Sequence, residues 1–427
     1  MTPRLHRKHA SAVLVAVAAL GAAIAVPAFA AAPVDVGGFA QSNDAVGVAG
    51  APCVGGGPCD VLLADQRVQL KLEGASETGG SRYAAKVDLF HDAVSNRSDV
   101  EVREVFVDLT GPHASLRAGR QIVTWGVGDL LFANDIFPKD WIAFFTGRPL
   151  EYLKVGSDAV NVSLHPRGLD AEIVLIPVFQ PDRYPTPDRL HLPDPFPGLP
   201  RLVEEKERSI ENAETAVRLS RYISDWGLSL YASRTFFRSP AMTLDSPTTP
   251  TAVLQFFPRL RTYGASATGS LLGGVVSLEG ALWDSPGDRS GTVYTVPNSA
   301  VKALAGYSYP LWKDGTLGVQ GYLEWMLDYD AYRSSVPPGY PAQDQHRWTA
   351  TTRITQLLRN ETVTGNLFTF WGVTEEDGLI IPSVRYAATD NVSIELGANV
   401  FFGNTRETTF GALDDNDNIY TTLRYSY

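Results

Sequence analysis

The feature that most constrains this chain is a two-residue alternation of apolar and polar side chains, repeated in stretches of about ten residues through most of its length. In TLGVQGYLEWMLD (316–328), Leu317, Val319, Leu323, Trp325 and Leu327 share one face, while Gln320, Tyr322, Glu324 and Asp328 share the other. Residues 391–402 repeat the pattern, with Val392, Ile394, Leu396, Ala398, Val400 and Phe402 set against Ser393, Glu395 and Asn399. Such a period places alternate side chains on opposite faces of a strand, and a tilted strand of this length spans an outer membrane.

Similar segments lie at 64–73, 80–90, 100–110, 114–124, 157–165, 168–178, 211–223 and 226–238. They continue at 257–269, 274–284, 298–309, 345–357, 361–372, 379–389 and 417–427. Short turns such as Gly111-Pro112, Ser224-Asp225 and Lys313-Asp314-Gly315 alternate with long connections at 125–156, 179–210, 239–256, 285–297, 329–344 and 403–416. Short turns at one end and long loops at the other are the plan of a bacterial barrel. If the last strand descends to the periplasm, the turn at 74–79 is periplasmic and one more strand must precede 64–73. Residues 34–48 supply it. The expected fold is all-β: a transmembrane antiparallel β-barrel of eighteen strands, with sixteen as the alternative count.

Tyr and Trp gather near strand ends (Trp226, Tyr309, Trp325, Tyr329, Trp348, Trp371, Tyr425, Tyr427), as interfacial girdles require. Ile419, Thr421, Leu423, Tyr425 and Tyr427 alternate to an aromatic C-terminus, which resembles the assembly signal of outer-membrane barrels. A soluble propeller would show a blade-length repeat, and none is seen.

Residues 1–30 read as an export signal. Arg4, Arg7 and Lys8 precede an apolar run that ends at the A-x-A site Ala28-Phe29-Ala30, which leaves 31–427 as the barrel. Losing those three positive charges takes the net charge from −11 to −14, which argues against nucleic acid as a partner. Cys53 and Cys59, close together between Gly and Pro residues, are expected to form a small-loop disulfide in an oxidising envelope.

The connection at 125–156 is too aromatic for an ordinary solvated loop, yet Gly126, Gly128, Pro138, Gly147 and Pro149 prevent one long helix. On the parity count it is the third external loop. It is expected to fold into the lumen as a constriction carrying Trp125, Asp129, Asn134, Asp135, Lys139, Trp141 and Arg148. The Pro-rich stretch at 179–210 reads as a stiff external loop. Asp414-Asp415-Asn416-Asp417-Asn418 lacks the Gly and the closing Glu of a calcium loop and reads as a solvated tip.

Assigning the less apolar phase to the lumen gives thirteen cations (Arg67, Lys71, Arg82, Lys86, Arg117, Arg218, Arg259, Arg261, Lys302, Arg347, Arg353, Arg385, Arg424). The acids on that phase number eight: Glu73, Asp88, Glu104, Asp108, Glu214, Glu324, Asp328 and Glu395. These charges either pair into ladders across neighbouring strands, stiffening the wall, or leave surplus arginines for an anionic solute.

Gly119-Arg120-Gln121 followed by Trp125-Gly126 resembles a motif of Gram-negative porin-like families, among them the alginate-export-like barrels and related uncharacterised porins. The resemblance implies an eighteen-strand channel with an Arg-lined lumen. Arg120 and Gln121 fall on opposite phases, so only one can face inward unless a bulge intervenes. The pore-lining set expected is Arg117, Arg120, Arg218, Arg259, Arg261, Arg347, Arg353, Arg385 and Arg424.

The function expected is a passive outer-membrane channel for small hydrophilic solutes, favouring anions such as acidic sugars. No cofactor or metal is implied; the partners are the solute, outer-membrane lipid and, by analogy with porins, further copies of the chain. The competing readings are a surface adhesin and an outer-membrane hydrolase. For the latter there is no G-x-S-x-G elbow.

Overall fold

The computed structural model describes residues 34–48, 61–77, 79–185 and 189–427. The expected signal peptide and the Cys53–Cys59 pair lie outside the described residues. In chain order the strands are β1 (Asp35–Gly47), β2 (Val61–Ala75), β3 (Ser81–Asp92), β4 (Arg97–Thr110), β5 (Ala114–Gln121), β6 (Ser157–Leu164) and β7 (Asp170–Ile176). There follow β8 (Arg201–Val203), β9 (Glu214–Ile223), β10 (Trp226–Phe236), β11 (Ala241–Leu244), β12 (Val253–Phe256), β13 (Arg259–Leu271) and β14 (Gly274–Asp284). The last are β15 (Ala300–Trp312), β16 (Gly315–Met326), β17 (His346–Leu358), β18 (Val363–Gly372), β19 (Asp377–Ala387), β20 (Val392–Gly403) and β21 (Asn418–Ser426).

Eighteen of these form one sheet in which each strand pairs antiparallel with its neighbour. Pairing of β1 with β21, from Phe39↔Ser426 to Gly47↔Asn418, closes it into a barrel. The seventeen segments read from the alternation and the one added by parity are these eighteen strands, and the sixteen-strand alternative falls away. Closure leaves the eighteen-stranded sheet without an edge strand, so backbone polar groups along its ladders pair with one another, as crossing a bilayer would require.

The alternation sorts the two faces. On β21, Ile419, Leu423 and Tyr425 are exposed while Asn418, Tyr420 and Thr422 are buried. On β16, Val319 and Trp325 face out and Tyr322 is buried. Six of the eight girdle aromatics, Tyr309, Trp325, Trp348, Trp371, Tyr425 and Tyr427, are exposed. In the β3–β4 pair the register shifts between Lys86 and Val87, so Arg103 is an extra residue. That bulge lets both Arg103 and Glu104 bury themselves on the inner side.

β8, β11 and β12 make a separate three-stranded sheet within the long connections. β12 pairs antiparallel with β11 and parallel with β8, which ties the Pro-rich connection to the one after β10. The Pro-rich stretch is therefore more than a stiff outer loop. Leu190 within it is 1% exposed, and it packs into the same apolar cluster as Phe144 and Phe401.

Candidate functional site: a loop bound across the barrel

β5 stops at Gln121 and β6 starts at Ser157, and the 35 residues between them do not extend the wall. Their contacts are with the inward phases of β14, β16, β17, β20 and β21, strands remote from β5 and β6 in the sheet. The segment thus lies inside the barrel.

Its main anchor is Glu279 on β14. The carboxylate accepts the backbone N–H groups of Val127 (2.5 Å), Gly128 (2.6 Å) and Asn134 (3.2 Å), and the Asn134 side-chain amide at 2.7 Å. A carboxylate receiving four donors is a strong charge-assisted clamp. Gly126 has φ +84°, and a Cβ there would lie 2.8 Å from Glu279 Oε1, so the turn requires glycine. Opposite, Asn134 fills the gap left by Gly264 of β13, where a Cβ would come within 1.8 Å of Asn134 Oδ1.

Asp129 makes the second anchor. Its N–H donates to Gln320 Oε1 (2.8 Å), whose Nε2 returns a bond to Asp129 O (2.9 Å), and its carboxylate takes a two-pronged contact from Arg353. The third is the short helix Trp141–Phe145, capped by Asp140, which accepts Ala143 N–H at 2.8 Å. Phe144 and Phe145 meet Phe370 and Phe401 edge to face, with ring centroids 6.0 and 5.9 Å apart. Phe145 O accepts both Asn399 (3.1 Å) and Asn418 (3.2 Å).

Nearer its own strands the loop is held by a buried ionic network. Arg67 contacts Asp65 (3.2 Å), Asp88 (2.8 Å) and Glu101 (3.1 Å), and Arg148 approaches Asp65 at 3.4 Å. Tyr152 donates its hydroxyl to Asp88 at 3.0 Å, with its ring contacted by Arg67 and Arg103 at 4.7 and 4.6 Å. Burial, then the Asp88 charge, pushes the Tyr152 phenol well above its ordinary value.

Of the expected constriction residues, Trp125, Asn134, Asp135 and Lys139 are each 3–4% exposed, so they build the loop's interior rather than a bore. Trp125 packs on Phe137 and Tyr231 and donates to Glu172 (3.1 Å). Lys139 donates to the carbonyls of Asp135 (3.0 Å) and Phe137 (2.9 Å), and Asp135 also pairs with Lys154. Burial holds the Lys139 ammonium below the ordinary lysine value, against the pull of Asp135. Trp141 donates to Asp182 at 2.9 Å.

Six expected pore-lining arginines lie on the inner face. Arg117 is held by Asp108 (2.6 Å), Arg218 by Glu172 (2.8 Å) and Arg347 by Glu324, which also binds Lys302 (2.6 Å). Arg353 and Arg424 meet loop carboxylates, Asp129 and Glu151. Arg385 donates to Ser393 Oγ at 3.3 Å and, among the described residues, makes no ion pair of this kind.

Three expectations need correction. Arg259 and Arg261 share their face of β13 with Tyr263, which is 50% exposed, whereas Leu260, Thr262 and Ser266 on the opposite face are buried. Ser266 bonds the buried Tyr231, so that opposite face is the inner one and both arginines point outward. Arg120 is paired across from Val105, an exposed residue, and forms a two-pronged bond with Asp158 at 2.7 and 2.8 Å on the outer phase. The inward member of that dipeptide is Gln121, buried and bonded to Ala159 O at 3.0 Å.

Sequence reasoning missed Glu279, Gln320, Asn399, Asn418 and Arg103. Glu279 had a signal: a lone carboxylate in the otherwise uncharged GVVSLEGALW, which in the structure pairs opposite Ser266 of β13. Among the described residues one Ser–His hydrogen bond occurs, His91 Nδ1 with Ser98 Oγ at 2.9 Å, exposed at the β3–β4 end, and no carboxylate accepts a hydrogen bond from that ring.

No family model matches the chain and no curated protein matches its sequence, so the likeness to alginate-export-like barrels remains a resemblance. Solved structures do match. OccK11 (OpdR) of Pseudomonas aeruginosa superposes with a TM-score of 0.52 at 9% identity, covering 92% of this chain and 95% of that one. A loop L8 deletion mutant of OmpT, an outer membrane protein of Vibrio cholerae, gives 0.45 at 10% identity over 93% and 100%. A mutant Rhodopseudomonas blastica porin gives 0.44 at 12% identity over 92% and 100%. At such identity the likeness to OccK11 establishes the barrel fold alone.

Proposed function

We propose that the protein is a passive diffusion channel of a bacterial outer membrane, admitting small hydrophilic solutes past a constriction set by residues 122–156. The observation that carries this is the loop's attachment across the interior, through Glu279 and Arg353, to the far wall. A loop pinned at both sides narrows a barrel of this strand number without sealing a membrane-exposed edge. An outer face of alternating exposed apolar residues favours lipid around it.

Charge preference is the finer part of the proposal. Moving Arg259 and Arg261 outside, and adding Asp65, Glu101, Glu172 and Glu279 within, brings the inner charges closer to balance than the sequence count. The preference for anions such as acidic sugars then rests on few groups, chiefly Arg385 and the two arginines whose partners are loop carboxylates, Arg353 and Arg424. Single-channel conductance in a planar bilayer, with a salt gradient to read selectivity, tests both parts. Steady conductance that rises on deletion of 127–155 is the expected result. A barrel that conducts nothing with or without the loop overturns the proposal and returns the adhesin reading.

A further inference from the structure

Three arginines stand together on the outer face of the wall, near the long-loop ends of β10 and β13. Arg234 and Arg261 are directly paired across these strands, a like-charge juxtaposition that is unfavourable by itself. Arg259 lies two residues further along the same face. With Glu211, Leu260 and Pro286 they line a concavity of about 340 Å³. Among the described residues none of the three is in an ion pair. Arg234 and Arg259 donate to the backbone carbonyl of Glu211 at 3.0 and 2.9 Å, and Arg259 also to Asn212 Oδ1 at 3.2 Å. Asp284, opposite Arg261 on β14, is bound to Arg289 at 3.0 Å.

The depth of this cluster identifies what covers it. Below Arg234 on the outward phase of β10 come Ala232, Leu230 (59% exposed), Leu228 (37%) and Trp226; below Arg261 on β13 comes Tyr263 (50%). Eight residues separate Trp226 from Arg234. At ~3.3 Å each and a tilt of ~40°, that is roughly 20 Å along the membrane normal, close to the ~25 Å height of an apolar band. On the reading that the barrel lies in a membrane, the arginines therefore start at the upper margin of the band, from which their long side chains reach outer-leaflet headgroups, with exposed Leu and Tyr beneath them for acyl chains.

We propose that Arg234, Arg259 and Arg261 seat the phosphate of a phosphorylated outer-leaflet glycolipid, resting on the reading that the barrel lies in an outer membrane. Guanidinium groups match phosphate oxygens in charge and in forked geometry. A phosphate between Arg234 and Arg261 turns their repulsion into a shared contact. The apolar residues below select a lipid over a free anion, which would leave them uncovered.

The test uses the refolded full barrel in zwitterionic detergent, titrated with bisphosphorylated lipid A and with the same lipid stripped of phosphate, and read by native mass spectrometry. The phosphorylated lipid should bind at least about tenfold more tightly. R234Q/R261Q should lose that preference, and R234K/R261K should keep part of it. Single-channel conductance and heat-modifiable migration of both variants should match the parent, which separates this proposal from the channel reading and from misfolding. Equal binding of the two lipids, or undiminished preference in R234Q/R261Q, overturns it. Complete displacement by millimolar inorganic phosphate also overturns it, because the site would then be one for soluble anions.

Discussion

β5, β6 and β7 are 8, 8 and 7 residues long, whereas β13, β15 and β17 each have 13. On the low side the chain leaves the sheet early, and the upper part of β4, residues 97–104, has no partner in β5. Its place is taken by side-chain bonds: Arg103 donates to Glu151 O (2.7 Å), and Glu104 accepts the Ile122 N–H (3.3 Å). On the tall side the ladder is complete, and inward residues such as Glu279 and Gln320 are free to bind the chain that the low side released. The loop is thus covalently part of one wall and energetically part of the other. Peptide groups withdrawn from a sheet must find partners elsewhere, and here the opposite wall provides them.

The largest expected effect comes from breaking the tall side's grip. Glu279→Ala leaves buried loop N–H donors unmatched, at about 1–3 kcal/mol each before relaxation. The loop should come away, single-channel conductance should rise towards that of the loop deletion, and the 127–135 stretch should become protease-sensitive. A loop that stays protected in this variant would mean the low side alone holds it. Next is Gly264→Val, which places a side chain where Asn134 sits. Overpacking of this kind costs about 1–3 kcal/mol, to be read as a lower thermal midpoint, with Asn134→Gly as the rescuing second change.

Selectivity separates inner from outer arginines. Arg353→Gln unmasks Asp129 and should shift reversal potentials towards cations, while Asp129→Asn should shift them towards anions. Arg259→Gln with Arg261→Gln should leave selectivity unchanged; any shift would place these side chains in the lumen after all. The smallest effect concerns Lys139. Its folded value lies below the ordinary 10.5, so the unfolded state binds the proton more readily in that window. Stability should therefore rise with pH from the lowered value up to about 10.5, the sense required when the unfolded state takes up more protons. Lys139→Met should flatten that slope in thermal melts between pH 8 and 11.

Strand positions were legible because a lipid-facing barrel enforces period two with little ambiguity, and parity fixed even β1, the least obvious strand. Side-chain phase was legible where a strand is uniform, as at Tyr322 and Glu324. It failed at Arg259 and Arg261, since charge was taken to mean lumen. Both sit at the rim of the wall, where on the proposed placement an outward arginine would meet headgroups instead of hydrocarbon, so charge no longer reports direction. Arg120 failed for a related reason: paired with Asp158 near the top of the low wall, it is satisfied outside. The ladder alternative proved right for Arg117, Arg218 and Arg347, which have wall carboxylates beside them.

Taken by itself, the sequence determined the barrel class, the strand number to within two and the identity of the one long connection too apolar to lie in solvent. All of these follow from local periodicity and composition. Only the tertiary structure decided which residues hold that connection. Glu279 and Asn134 are 145 positions apart, and Asn399 and Phe145 are separated by 254. Curling the sheet into a cylinder makes them neighbours, and a local pattern carries no record of what lies across the bore.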